Sequence, residues 1–306
     1  MSGKKIRIGV DLGGTKIEAI ALDSGGAILA RRRVATPAHD YDEIVRAIAT
    51  LVEDIETDTG RQGTVGVGSP GSISTHTGLV KGSNTQCVNG KPLDVDLSRA
   101  LGRPVRVEND ANCFALSEAV DGAGRGARVV FGVIVGTGVG GGVVVDGKIV
   151  AGRNRIGGEW GHTPLPWMRP DEYPGARCFC GHDGCVETFL SGPGLSRDYQ
   201  RRAGAFVTGQ EIMARAEVGE AIALAALGAY QDRLARALAV VIDILDPDVI
   251  ALGGGVSNIA RIYDGLALRV AQHAFTDALD TKIVRNIHGD SSGVRGAAWL
   301  WREADD

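Results

Sequence analysis

Aromatic residues make up only 5% of the 306-residue chain, and no basic run is longer than Arg31-Arg32-Arg33. With a net charge of -4, the sequence lacks the clustered positive charge that marks a nucleic-acid-binding surface. The triple arginine is therefore expected to be the solvated end of a strand. No apolar segment opens the chain. Met1-Ser-Gly-Lys-Lys runs straight into strand-like sequence, so no signal peptide is expected and the protein is expected in the cytoplasm. Long apolar runs are missing too: the longest, Val129 to Val145, is interrupted by Gly136, Thr137, Gly138 and Gly140 to Gly142, and so cannot span a bilayer. Cysteine is sparse. Five in a chain this long do not build a disulfide framework.

Glycine, by contrast, is abundant, with 45 residues, and it falls at strand ends. Ile6 to Val10 reads as an apolar strand, Asp11-Leu-Gly13-Gly14-Thr15-Lys16 as a tight polar turn, and Ile17 to Leu22 as a second strand. In a P-loop or a dinucleotide fingerprint the glycine turn opens a helix. Here a second turn, Asp23-Ser-Gly25-Gly26, comes after the strand, so the unit is a hairpin. Its glycines let successive N–H groups converge on phosphate, and Asp11 at the strand end is placed to hold a hydrated Mg2+. Val129 to Val145 repeats the theme. Gly136, Gly138 and Gly141 fit G-x-G-x-x-G, yet a strand and the turn Asp146-Gly147 come next, so a dinucleotide site is rejected. Two halves that each begin with such a hairpin are expected to be related and to clamp a polyphosphate. A third turn, Gly253-Gly254-Gly255, follows strand Val249 to Leu252 and is expected to lead into a helix. It either admits a flat ring or ribose to the backbone or is a plain strand exit.

The length suits two domains at roughly 150 residues each. The Gly- and Ala-rich stretch around Ala119 to Arg128 is the expected boundary. Apolar spacing predicts a packing helix from about Tyr41 to Ile55 and a long one from about Glu220 to Leu245, stopped by Asp246-Pro247; a short helix is expected over Ala297 to Trp301. Buried strand Thr64 to Gly68 runs into Ser69-Pro70-Gly71-Ser72, a loop suited to ligand contacts. Lys81-Gly82-Ser83-Asn84 is a polar loop, equally readable as an ordinary turn. Strand Val105 to Val107 delivers Glu108-Asn109-Asp110-Ala111-Asn112 to a helix from about Cys113 to Val120, where either Asn109 or Asp110 can cap while the other works.

Cys178, Cys180 and Cys185 fall within eight residues that also carry Gly181 and Gly184. Three thiolates and one imidazole close a tetrahedral zinc site with no open position, a structural metal and not a Lewis acid. The fourth ligand is His162, from Glu159-Trp-Gly-His162, or His182, between the cysteines. Free buried thiols are the plainer alternative, as expected for Cys87 and Cys113.

These glycine turns, the Asn109-Asp110 junction and the Cys-x-Cys-x4-Cys loop after Glu159-x-x-His162 together resemble the ROK family (repressors, open reading frames, kinases). The resemblance covers essentially the whole chain. Within the family it is greatest to the bacterial manno(fructo)kinases, through Gly71-Ser-Ile-Ser, His162-Thr-Pro-Leu-Pro-Trp-Met168 and the segment His288 to Trp301. It implies an α/β, actin-like (ribonuclease H-like) ATPase fold with nucleotide and sugar between two lobes. The expected lobes are residues 1–118, completed by a C-terminal helix at about 295–306, and residues 119–294 with the zinc loop. ATP, Mg2+ and structural Zn2+ are the implied cofactors, and a homodimer the implied assembly. Carried over by motif, the sugar contacts would be Asn84, Asn109, Asp110, Glu159, His162 and Glu187. The nucleotide contacts would be Gly9, Asp11, Gly13, Gly14, Thr15, Lys16, Gly136, Thr137, Gly138, Gly140, Gly253, Gly254 and Gly255. The metal ligands would be His162, Cys178, Cys180 and Cys185. One departure is Gly82-Ser83, where close relatives carry other small residues before the Asn. The reaction implied is transfer from ATP to the 6-hydroxyl of fructose, with mannose or glucose slower and Asp110 as general base. N-acetylglucosamine kinase or glucokinase is the alternative. A sugar-responsive repressor of the same family would need a helix-turn-helix, for which the sequence ahead of Ile6 offers no room.

Overall fold

A computed structural model describes residues 6–301. In chain order the first elements are β1 (Ile6–Leu12), β2 (Lys16–Leu22), β3 (Ile28–Ala35), α1 (Tyr41–Thr59), β4 (Gly63–Ser69), β5 (Ser72–Ile73), β6 (Val80–Lys81), α2 (Leu93–Leu101), β7 (Val105–Asn109) and α3 (Asp110–Val120). Next come β8 (Val129–Val135), β9 (Val139–Val145), β10 (Lys148–Ile149), α4 (Val186–Leu190), α5 (Gly192–Ala203), α6 (Gly209–Glu217) and α7 (Ala221–Leu245). The last are β11 (Val249–Gly253), α8 (Leu266–Ala271), β12 (Lys282–Arg285) and α9 (Ser292–Ala298).

Two five-stranded sheets run β3-β2-β1-β4-β7 and β10-β9-β8-β11-β12. In the first, β1 pairs antiparallel with β2 and parallel with β4, which is parallel to β7. In the second, β9 and β10 are antiparallel and β8, β11 and β12 parallel. One order thus occurs twice, and the architecture is the two-lobe, actin-like α/β ATPase fold. The chain packs into two compact units. The first holds Met1–Gly126, Gly142–Gly157 and Asp290–Asp306, the second Ala127–Gly141 and Gly158–Gly289. Residues 142–157, expected in the second lobe, are part of the first unit, because the end of the β9 hairpin packs on α3.

In the first unit β1 and β2 are buried on both faces. Ile6, Ile8 and Val10 share a core with Ile44, Ile48, Leu51, Val52 and Ile55 of α1, while Ile20 and Leu22 meet Val294 and Ala298 of α9. Asp40 caps α1 by accepting the Glu43 N–H, and Gly60, at φ 63°, ends it four residues beyond the expected stop. Helix α9 begins at Ser292, not Ala297, and ends at Ala298, so Trp299 to Trp301 of the expected helix are turn and bend instead; the expected residues 302–306 lie outside the described residues. The helix starts early because burial of Val294, Ala297 and Ala298 draws the preceding turns into it, after a 3-10 turn at Gly289–Ser291. The arginine triplet is not merely a solvated strand end. Alternation on β3 sends Arg31 and Arg33 to buried Glu18, with Nε to Oε1 and Oε2 distances of 2.6 and 2.8 Å, and Arg32 to Asp58 on the other face.

In the second unit α7 runs Ala221–Leu245, within a residue of the expected span. Its fully buried Arg236 directs all five N–H groups to acceptors on the loop before Cys178 and on α7 itself. Among the described residues, no helix is long and apolar enough to cross a membrane.

Candidate active site and metal cluster

Leu12 to Lys16 forms the tight turn of the first unit, closed by the Gly13 N–H donating to Lys16 O at 3.0 Å. Thr36 fixes it from the side, its hydroxyl donating to Gly13 O and its N–H to Thr15 O. Gly14, Thr15 and Lys16 are exposed there. Gly9, expected to contact nucleotide, has a different reason to be glycine. It lies inside β1 beneath α9, where a Cβ would stand 2.0 Å from Val294 O and 2.6 Å from Ala298 N.

Asp11 ends β1. Burial of its carboxyl, then the nearby charges of Asp110 and Glu18, push its pKa up to about 7, with Lys16 offsetting part of the rise. A carboxylate crowded by like charges is poised for a divalent cation, so the residues fit Mg2+. The folded state therefore keeps a proton that the unfolded chain releases near 3.8. In the absence of divalent cations, the contribution of Asp11 to stability is expected to fall by about 2 kcal/mol or more as pH rises from 4 to 7.5. Asp11→Asn should remove that fall. Urea midpoints of both proteins across this range test it, and parallel profiles would refute it.

At the β7–α3 junction the structure separates the two candidates for capping. Asn109 Oδ1 accepts from the Ala111 and Asn112 N–H groups at 2.9 and 3.2 Å, and its Nδ2 donates to Gly71 O at 3.1 Å. Asn109 is the cap. Asp110 opens the helix, with Oδ1 accepting from its neighbour Ala111 N–H at 2.8 Å. Glu108, to which sequence reasoning assigns no role, supports both: Oε1 accepts from Asn109 N–H and Asn112 Nδ2, and Oε2 from Arg155 Nη1 at 2.8 Å. Arg155 holds a left-handed φ of 56° in that arrangement. Nothing local marks this pair, since 47 residues separate its members. Asn84 is exposed in the loop after β6.

In the second unit, the Gly136–Gly140 turn is closed by Gly136 N–H to Gly138 O at 2.9 Å, with Thr137 exposed at its tip. Glu187, expected to hold a sugar hydroxyl, uses Oε2 to accept the Val139 N–H at 2.9 Å and so ties this turn to α4. Its Oε1 lies 3.9 Å from Cys178 Sγ. Trp160, missed in the sequence, anchors the segment from Glu159 to His162 by donating Nε1–H to Gly140 O at 3.0 Å. Glu159 itself is exposed. In the third glycine turn, packing alone requires the central glycine. Gly254 has φ 83°, and a Cβ there would sit 2.5 Å from Val135 O. Gly255 opens not a helix but two short 3-10 turns, Gly255–Asn258 and Ala260–Tyr263, ahead of α8.

One ligand atom from each of His162, Cys178, Cys180 and Cys185 gathers within 4.8 Å of the others. His182 is exposed and outside the group. Cys178 Sγ is 3.6 Å from His162 Nδ1, and Cys180 Sγ is 3.5 Å from Cys185 Sγ. Bonds of about 2.3 Å to sulfur and 2.0 Å to nitrogen give a tetrahedron with edges close to those values. Desolvation raises the Cys178 thiol and pushes Cys185 up to about 12, while the His182 backbone N–H lowers Cys180. Three crowded thiols cannot all ionise without a cation among them, so the donor set fits zinc.

A profile described as the ROK family matches residues 7–304. The chain belongs to the ROK family. Among relatives of this ROK protein is the N-acetyl-D-glucosamine kinase of Vibrio cholerae, 44% identical over 296 residues that cover 95% of this chain and 98% of that one. A ROK hexokinase from Thermus thermophilus is 32% identical with a TM-score of 0.85, covering 96% of both chains. A ROK family glucokinase from Streptomyces griseus, solved with glucose and AMPPNP, is 29% identical with a TM-score of 0.78, covering 97% and 99%. This ROK protein is accordingly a sugar kinase, a phosphotransferase that uses ATP with Mg2+.

Proposed function

We propose that this protein transfers the terminal phosphoryl group of ATP to the 6-hydroxyl of a hexose, and that the hexose is N-acetyl-D-glucosamine. The reaction reading is carried by the β7–α3 junction, where Asn109 makes the cap and Asp110 presents the carboxylate. Asp110 accepts the hydroxyl proton and aims the oxygen in line with the phosphoryl group. Asn84, Asn109, Glu159, His162 and Glu187, the sugar contacts implied by the family resemblance, hold the remaining hydroxyls, since neutral polyols are recognised by several directed hydrogen bonds. The exposed amides of Gly13 to Lys16 and of Gly136 to Gly140 carry the phosphates. Mg2+, held near Asp11, supplies neutralisation of phosphate charge. Most of the rate comes from positioning, because the loose transition state asks little covalent help of the protein.

The 44% identity to a kinase named for N-acetyl-D-glucosamine supports the substrate. Fructose is the second reading, favoured by the segments Gly71 to Ser74, His162 to Met168 and His288 to Trp301, which resemble the manno(fructo)kinases. An ADP-release assay over N-acetylglucosamine, fructose, mannose and glucose separates the two. N-acetylglucosamine is expected to give the highest kcat/KM; a higher value for fructose transfers the assignment, and no turnover with any hexose ends the kinase reading.

His162, Cys178, Cys180 and Cys185 are proposed to hold one structural zinc. His162→Ala is expected to lower the zinc content of the purified protein, and His182→Ala to leave it unchanged. Full retention in His162→Ala would remove that ligand.

A further inference from the structure

Thr85 lies in the loop between β6 and α2 and is 5% exposed. Its side-chain hydroxyl is buried and has no hydrogen-bond partner among the described residues. The loop around it is held still: Thr85 N–H donates to Ser83 Oγ at 3.1 Å, Ser83 N–H to Asn89 Oδ1 at 2.9 Å, and Asn89 Nδ2 returns to Ser83 O at 2.9 Å. Among the described residues two other buried hydroxyls lack partners, but Thr64 lies on strand β4 and Ser117 within α3. Thr85 instead borders the first glycine turn. A Cβ on Gly14 would meet one atom within 4 Å, the Thr85 Oγ1 at 4.0 Å.

An unpaired buried hydroxyl costs free energy, and a fixed loop that aims one at a phosphate-type turn has no structural reason to do so. Thr36 already satisfies two carbonyls of that turn. Groups held at a cost to the fold are characteristic of places where a ligand completes the bonding.

We propose that Thr85 is a further substrate-contacting residue: its hydroxyl donates a hydrogen bond to the terminal phosphoryl group of the triphosphate seated on the Gly13–Thr15 turn. This rests on the reading that the turn carries the phosphates, and it adds a contact that ADP cannot make.

Thr85→Val keeps the shape and removes the hydroxyl. Its affinity for the imido analogue of ATP, titrated with Mg2+ and without hexose, is expected to fall about 10-fold, as for a lost bond to a charged group. Affinity for ADP should stay within about twofold of the parent value. Thr85→Ser should retain analogue binding. With the unpaired hydroxyl gone, the nucleotide-free Thr85→Val protein should melt about 1 to 3 °C higher than the parent. A residue with only a packing role would not give higher stability together with a selective loss of triphosphate affinity. Equal analogue affinity in Thr85→Val and the parent overturns the proposal, as does an equal loss for ADP or a lower melting temperature. Hexose turnover is not among these readouts, so an inactive wild-type enzyme would reject the kinase reading without deciding the role of Thr85.

Discussion

Asp110→Asn is expected to lower kcat by a factor on the order of 100 or more, the usual size of a general-base effect, while hexose affinity changes little. The substitution is conservative where it touches the fold. An amide oxygen can accept the Ala111 N–H as Asp110 Oδ1 does, at 2.8 Å, and the Asn109 cap remains to hold the first turn of α3. What disappears is the ability to take a proton. The charge also disappears, and its loss has a second consequence: Asp110 is among the groups that push Asp11 up to about 7, so the Asp11 transition should move to lower pH in the variant. Single-turnover rates and hexose titration together check the first expectation. Near-normal turnover would remove Asp110 from the role; a matching loss of hexose affinity would make it a binding group instead.

Arg236→Met is expected to cost about 3 to 5 kcal/mol of stability, the range for breaking a buried ion pair on one side. Arg236 is fully buried on α7. It donates to Pro166 O at 2.7 Å, Trp167 O at 2.9 Å, Asp232 Oδ2 at 3.0 Å and both Glu172 oxygens at 2.7 and 2.9 Å. Burial alone would raise the Glu172 carboxyl. The Arg169 N–H and the Arg236 and Arg233 guanidiniums outweigh burial and hold it below the ordinary carboxylate range. Without Arg236, Glu172 keeps Arg233 at 2.8 Å, but two loop carbonyls lose their donor. Those carbonyls lie between His162 and Cys178, so the loss should also weaken retention of the proposed zinc against a chelator. Lysine would rescue little, having three donors where five acceptor contacts are made. Urea unfolding of the zinc-loaded proteins measures the change, and a parental midpoint in Arg236→Met would contradict it.

Much of the fold is legible in the sequence because its signals are local. The hairpins β1–β2 and β8–β9 are declared by the second strand and turn that come after their glycines, α1 by apolar spacing, and α7 by apolar spacing and its stop at Asp246-Pro247. The cysteine loop is declared by spacing. Where local chemistry offers two solutions, the sequence holds both. Asn109 and Asp110 are each good caps, and either His162 or His182 could complete a four-ligand site. Other features leave no local trace at all. Gly9 resembles part of a phosphate turn because it stands two residues before Asp11, yet its lack of a side chain answers to a helix almost 290 residues further on. Arg31 and Arg33 read as solvated because Glu18, their partner, is on the neighbouring strand.

By itself the sequence determined the repeated hairpin plan, the family and the residue types available for phosphoryl transfer and for a metal, since each depends on neighbours within a few positions. Only the tertiary structure decided that Asn109 caps, that His162 and not His182 joins the three cysteines, that Glu187 grips the Val139 amide, and that Thr85 borders Gly14. The physical reason is distance along the chain. Hydrogen bonds and close contacts between remote segments are fixed by how sheets and helices pack, and no pattern confined to one segment encodes its partner.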